Sequence, residues 1–270
     1  MNQKQLKNIA HNYYRKLKKH TTTIVKDFDM EAIHQYRVEY KKLRAFLRMI
    51  SKQHKMAFEI KVTKKLKQGY HLLGSIRDLQ LQQQRILEVK KEAFKKPHAY
   101  IILLKTEIQK LQLKLFKIFL RKTVTASKIK TDLSIPNKFK LSSFINFAEK
   151  KWAAIYAIIA SLNFSDNNIH EIRKILKDLF YTLKIYKGTR YKLLSAYIWK
   201  GKNEQYFNNL LDQLGSYQDK CTAIALLKSN WLNSLNSYNR KQLEQIKREW
   251  IKDKLRMKKL VIKKLKAEAV

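Results

Sequence analysis

Ile33-His34-Gln35-Tyr36-Arg37-Val38-Glu39-Tyr40-Lys41-Lys42-Leu43-Arg44-Ala45-Phe46-Leu47-Arg48 reads as a two-sided helix. At about 100° per residue, His34, Arg37, Lys41, Arg44 and Arg48 fall within an arc of about 80°. Tyr36, Tyr40, Leu43, Phe46, Leu47 and Ile50 gather on a second arc, roughly 130° away, and supply the apolar face a core requires. The stretch therefore predicts a helix that buries one side and holds a row of fixed positive charge on another. Lys42 adds a further cation beside that row.

The remaining sequence has the same texture. A hydrophobic content of 45% over 270 residues excludes simple disorder and allows a substantial core. Lys+Arg minus Asp+Glu is 59 − 21 = 38. A compact chain with that charge repels itself unless an anionic partner neutralises it, which points to nucleic acid, an anionic membrane surface or a phosphate polymer. Cys221 is the single cysteine, so intrachain disulfides and cysteine-based zinc sites are excluded, in keeping with a reducing compartment. Met1 to His20 is charged throughout and lacks the apolar centre of a signal peptide. No run reaches the ~18 uncharged apolar residues of a membrane span. The expectation is a soluble, cytoplasmic protein.

Five glycines and two prolines, with apolar residues at three- and four-residue spacing, predict an all-α fold with few or no strands. The first helix is expected over Lys4 to His20, ended by the β-branched Thr21-Thr22-Thr23. The stripe helix follows from Asp29, with Asp29 and Glu31 where the helix dipole favours acids. A third helix spans Met56 to Ala93, with Pro97 marking its end, and a fourth spans His98 to Lys122. Thr123 to Lys140 has weak periodicity and is the expected linker, in a division into 1–122, 123–141 and 142–270. A fifth helix runs from Ser142 or Ser143 to Leu162, and a sixth from Ile169 to Lys187, stopping at Gly188. After a shorter segment around Tyr191 to Trp199, a seventh extends from Glu204 to Leu235. An eighth, very basic helix runs from Tyr238 to Ala267. Four helices stand on each side of the linker.

The two sides also repeat in sequence. Ile169-His170-Glu171-Ile172-Arg173-Lys174-Ile175-Leu176-Lys177-Asp178-Leu179-Phe180-Tyr181-Thr182-Leu183-Lys184 lies over the opening stretch without a gap. His34 meets His170, Arg37 meets Arg173, Lys41 meets Lys177, Leu43 meets Leu179 and Arg48 meets Lys184. Farther on, Leu73-Gly74-Ser75-Ile76-Arg77-Asp78 meets Leu214-Gly215-Ser216-Tyr217-Gln218-Asp219. Two blocks recurring in the same order indicate an internal duplication, each half a four-helix bundle.

These blocks resemble the CHAD family, the conserved histidine α-helical domain, whose signature pairs a His-x-x-Arg helix rich in Arg and Lys with a Leu-Gly-x-x-(Arg/Gln)-Asp helix. The similarity runs from about Lys4 to Lys266. It implies two pseudo-symmetric four-helix bundles around a basic central channel, and binding of inorganic polyphosphate, with polyphosphate granules as an associated location. The second half departs from the pattern at Asp178 and Phe180, where basic residues are frequent, while Tyr181 fits it. The second stripe is thus His170, Arg173, Lys177 and Lys184, with Lys174 a further candidate donor, and the fuller first row is expected to hold the ligand more firmly.

The chemistry of the stripes suits such a polymer. A chain with roughly one charge per phosphate and no bases needs a line of donors rather than one pocket. Arginine offers a planar fork to phosphate oxygens, lysine a mobile point charge. Three- and four-residue spacing places charges ~4.5 to 6 Å apart, over roughly 21 Å for the first row. The plainer alternative is a solvated basic face, which the repeated His and Arg argue against. His34 and His170 lack neighbouring ligands for a metal; each is either a donor to phosphate or a hydrogen-bonded structural group. Gly74 and Gly215 cost ~1 kcal/mol each relative to Ala inside helices, which suggests close approach of a neighbouring helix. Asp78 and Asp219 are read as structural acids that orient or neutralise stripe cations, and Arg77, whose counterpart is the neutral Gln218, as a further ligand-reaching cation. Aromatics such as Phe144, Phe147, Trp152 and Tyr156 are spaced for core packing rather than base stacking. Nothing resembles a Gly-rich phosphate loop, a cluster of acids for Mg²⁺, or the Glu-x-Glu-x-Lys strand of the triphosphate tunnel domain that often accompanies this family, so no catalysis, metal or cofactor is expected. Nucleic acid, RNA in particular, is the competing partner, supported by the net charge alone.

Overall fold

The computed structural model describes residues 1–51, 59–89, 97–119 and 122–267. Among them the chain forms α1 (Gln3–Asp27), α2 (Met30–Ser51), α3 (Lys64–Leu87), α4 (His98–Phe119), α5 (Thr123–Ser134), α6 (Leu141–Ala160), α7 (Asp166–Leu183), α8 (Gly188–Ile198), α9 (Glu204–Leu226), α10 (Ser229–Asn233) and α11 (Ser237–Lys266). The one β-type pairing among these residues is an isolated bridge between Asn2 and Lys138.

Local chemistry starts most of these helices. Asn2, Thr63, Ser165, Asn203 and Asn236 each accept a hydrogen bond from a backbone N–H of the following first turn. Asp29 does the same for α2, its Oδ1 accepting from the Ala32 N–H at 2.7 Å. Elsewhere tertiary packing overrides local preference. Thr21-Thr22-Thr23 does not end α1: the Thr21 and Thr22 hydroxyls donate back to the Leu17 and Lys18 carbonyls, and Ile24 beyond them is buried. The turn comes instead at Phe28, in the left-handed region with φ 54°. Gly188 likewise opens α8 rather than stopping α7, which ends at Leu183. The seventh expected helix is divided into α9 and α10. Residues 52–58 and 90–96, at the expected ends of the third helix, lie outside the described residues.

The expected linker is mostly helical. Residues Thr123–Ser134 form α5, which docks on α1 through buried polar groups rather than an apolar stripe. The Tyr14 hydroxyl bonds the Thr131 and Ser127 hydroxyls at 2.7 and 3.1 Å, and His11 Nε2 meets Asp132 at 2.7 Å. These bonds use Ser, Thr and Asp where the sequence shows weak hydrophobic periodicity, which explains why the helix was illegible.

Four helices form the centre. α2 packs on α7 and α3 on α9, while α2 also meets α3 and α7 meets α9. Outside them α1 lies on α2, α4 on α3, α6 on α7 and α11 on α9. Leu43 and Phe46 of α2 and Leu176 and Leu179 of α7 are buried in one continuous core, so burial of their apolar faces fixes the two basic helices within one body.

One buried acid ties the two together. Asp178 of α7, 5% exposed, accepts from Arg48 of α2 at 2.5 Å and from Lys151 of α6 at 2.9 Å. Replacing Asp178 with Ala strands two half-buried cations beside each other, and we expect a loss of stability on the order of 3 kcal/mol. Urea unfolding of the ligand-free chain checks this; a loss below about 1 kcal/mol would mean that the cluster is solvent-screened.

Candidate polyanion site

The apolar backing of α2 and α7 decides where the stripes point. Burying Tyr36, Tyr40, Leu43 and Phe46 leaves Arg37, Lys41 and Arg44 half-buried along one side of α2, and burying Ile172, Leu176 and Leu179 does the same for Arg173 and Lys177 on α7. The two rows are close enough to act on each other. Burial, then the charges of Lys177, Arg37 and Arg173, bring the Lys41 ammonium down to about 7. Burial and then Arg173 bring Lys177 down to about 8. Both lysines thus sit near their titration points at neutral pH.

Each signature arginine packs against the signature glycine of its own half. A Cβ on Gly74 would lie 2.1 Å from Arg37 Nη1, and one on Gly215 would lie 3.1 Å from Arg173 Nη2. The glycines therefore make room for a guanidinium, not for the backbone of a neighbouring helix. Arg37 is fixed further by the Tyr70 ring, 5.0 Å from the centroid, and by a long hydrogen bond of 3.4 Å to the Tyr70 carbonyl. Tyr70 stacks on Tyr40 at 4.1 Å, and Arg44 lies 5.9 Å over Tyr40. Tyr70 escaped the sequence reading, although it lies one turn before Gly74 on the same face of α3.

The other candidates divide. His34 is exposed and His170 half-buried. Burial lowers the pKa of both; after it, Lys174 and Arg173 act in the same direction on His170, and for His34 the carboxylate of Glu31 opposes the burial. His170 Nδ1 and Arg173 Nε are buried without a hydrogen-bond partner. Arg77 is half-buried on α3, its pKa lowered by burial. Asp78 is half-buried and its pKa raised by burial, with Arg37 opposing; Asp219 is exposed. Neither forms an ion pair within 4 Å among the described residues, so each acts on the stripe cations through its field. Tyr181 is half-buried, and burial raises its pKa to about 12.

Several cations are already engaged. Lys42 pairs with the buried Glu39 at 2.7 Å, Arg48 with Asp178, Lys184 with Glu204 at 2.8 Å and the exposed Lys174 with Glu171 at 2.5 Å. The uncompensated positive charge is thereby concentrated on Arg37, Lys41, Arg44, Arg173 and Lys177. Two open grooves of about 570 and 590 Å³ run along α1 toward Val124 and Thr125 and are lined by no stripe residue. Among the described residues no group of three His, Cys, Asp or Glu is placed to hold a metal, and no helix is long and apolar enough to cross a membrane.

The CHAD domain pattern matches residues 8–228 of the chain. Among solved structures the chain is similar to the CHAD domain from the plant Ricinus communis, with a TM-score of 0.62 and 15% identity over 97% of this chain and 86% of that one. No curated protein matches.

Two tests follow from this geometry. Gly74→Ala should leave the melting temperature unchanged or slightly higher, since Ala gains ~1 kcal/mol of helix propensity and the guanidinium can swing aside. It should weaken polyanion binding by displacing Arg37, with a smaller loss for Gly215→Ala. Equal binding by Gly74→Ala and the parent would show that the position of Arg37 is immaterial. The lysines give a pH test. A polyanion relieves their repulsion and raises both pKa values, so binding at pH 7.5 should take up about one proton, and affinity should fall as pH rises from 7 to 9. In the ligand-free chain these depressed groups bind fewer protons than when unfolded, so their contribution makes stability rise with pH between about 7 and 10.5. Calorimetric titrations in buffers of different ionisation enthalpy measure the uptake, and none would contradict the placement.

Proposed function

The chain belongs to the CHAD domain family, and on that premise we propose that it binds inorganic polyphosphate without catalysis, along the facing rows of α2 and α7. Polyphosphate binding is a general property of that family. The observation that carries the reading for this chain is the pair of half-buried lysines, Lys41 and Lys177, whose charged forms are disfavoured first by burial and then by repulsion, from Lys177, Arg37 and Arg173 on Lys41 and from Arg173 on Lys177. Such repulsion disfavours the free protein and is relieved by an anion lying between the rows.

The matching of Arg37 over Gly74 with Arg173 over Gly215, and of the four outer helices about the four central ones, supports an internal duplication into halves 1–122 and 142–270. On this reading a basic central channel runs between the halves, and His34, Arg37, Lys41, Lys42, Arg44, Arg48, His170, Arg173, Lys174, Lys177 and Lys184 supply its donors. Arg37, Arg44, Lys41, Arg173 and Lys177 carry most of the affinity, because the remaining lysines and Arg48 must first leave a carboxylate. The buried, unpartnered Arg173 Nε is a donor that a phosphate oxygen would satisfy. A location in the cytoplasm, at polyphosphate granules, goes with this function.

RNA is the second reading, favoured by the net charge of +38. The stripes offer it little beyond charge, since of the rings beside them Tyr40 and Tyr70 are stacked on each other and Phe180 lies beneath the Lys184 ammonium. Arg37→Ala combined with Arg173→Ala should reduce affinity for long polyphosphate by about a hundredfold with little change in melting temperature, taking ~1.5 kcal/mol for each charge-assisted contact. Direct titration checks this. RNA that displaces polyphosphate stoichiometrically at physiological salt would instead favour the nucleic-acid reading.

A further inference from the structure

α11 carries a second line of charge that points away from the stripes. Its inner cations hold it to the body: Lys254 and Lys258 bind Asp166 at the start of α7, and Lys247 donates to the Leu227 carbonyl at 3.3 Å. The outer face is different. Lys241, Arg248, Lys252, Arg256, Lys259 and Lys263 are all exposed, and at about 100° per residue they fall within an arc of about 80°, the width of the first stripe. At 1.5 Å per residue the row extends roughly 33 Å. None of the six forms an ion pair among the described residues. The three acids of the helix lie outside the arc, Glu244 against Arg240 at 2.9 Å, Asp253 against Lys220 at 3.4 Å, and Glu249 about 20° beyond its edge. This helix also lies beyond the segment matched by the family pattern, which ends at residue 228.

The geometry points to the outer face of α11 as a second, surface-exposed track for the same phosphate polymer, engaged only by chains long enough to reach beyond the stripes. The inference rests on the polyphosphate reading above. Its spacing is that of the stripes, three or four residues between most neighbouring charges. A linear polyanion fits better than a lipid surface, because cations occupy the centre of the face while Ile251, Leu255 and Leu260 stand on its shoulders. A helix that lies in a membrane interface has the reverse arrangement, with the apolar residues at the centre. A base-free polymer fits better than RNA, because between Lys241 and Lys263 no aromatic lies on the arc: the exposed Tyr238 stands one turn before the row, at the edge of the arc, and Trp250 is covered by the Lys220 ammonium at 5.6 Å from its centroid. Two tracks on one molecule raise the effective concentration of a long chain for the second once it is held by the first.

The test compares Lys252→Gln/Arg256→Gln/Lys259→Gln/Lys263→Gln with a control that removes four exposed charges from α4, Lys105→Gln/Lys110→Gln/Lys114→Gln/Lys117→Gln. Titrations use tripolyphosphate, long-chain polyphosphate, RNA and phosphatidylglycerol vesicles. The α11 variant should weaken long-chain polyphosphate about tenfold or more, leave tripolyphosphate unchanged, and exceed the control clearly. Equal effects of variant and control, or no effect, would overturn the second track, as would dependence on the row for RNA or vesicles but not for polyphosphate. In an Arg37→Ala/Arg173→Ala background the intact row should still retain some long-chain polyphosphate. Loss of all such binding there overturns the second track and leaves the stripes standing. Tripolyphosphate binding unchanged by Arg37→Ala/Arg173→Ala would overturn the stripe reading, while the α11 comparison still decides the track.

Discussion

Burial of positive charge beside like charge, enforced by hydrophobic packing behind it, is the constraint on which this molecule turns. α2 and α7 pack on each other and bury Leu43, Phe46, Leu176 and Leu179 in one core, and that packing carries Lys41 and Lys177 to within each other's field. Burial of apolar area supplies the favourable free energy, and proximity of cations is the unfavourable consequence. The protein limits the damage by engaging cations at the margins with buried or half-buried acids, Arg48 with Asp178 and Lys42 with Glu39, while leaving the middle of the rows uncompensated. What remains is a group of uncompensated cations, the feature on which the proposal of polyanion binding rests.

The two signature blocks acquire a physical meaning from the Arg–Gly contacts. Arginine three residues after the histidine reaches across to α3 or α9, and glycine there leaves the space its guanidinium occupies. The two halves differ in tightness. Gly74 is closed off by Arg37 at a distance no methyl group could share, whereas a methyl on Gly215 would need Arg173 to give by only a few tenths of an ångström. The first half also fixes its arginines on the Tyr40–Tyr70 pair, while at the position of Arg44 the second half has Phe180, which lies beneath Lys184. Asp178, which looked in sequence like a gap in the second stripe, is the residue that anchors the end of the first.

Much of this was legible from spacing. The helical class and the composition of α2 and α7 followed from periodicity, since a cationic arc and an apolar arc on one helix can be read from residue numbers alone. Failures occurred where packing overrode propensity. Thr21 to Thr23 satisfy their hydroxyls inside α1, and α5 is held by hydroxyl and carboxylate bonds that leave no hydrophobic period. At the site, sequence identified the cations and not their engagement. Whether Lys42, Arg48 or Lys184 is paired depends on Glu39, Asp178 and Glu204, two of which come from other helices and have no sequence relation to their partners.

The central claim is that two fixed lines of charge, rather than a diffuse positive surface, bind a linear phosphate polymer. Calorimetric titration with phosphate chains of increasing defined length, compared at equal total phosphate and fixed salt, tests it most directly. Affinity per chain should climb steeply with length until the rows of roughly 21 Å are filled. Affinity that is the same for orthophosphate and for long chains would contradict it.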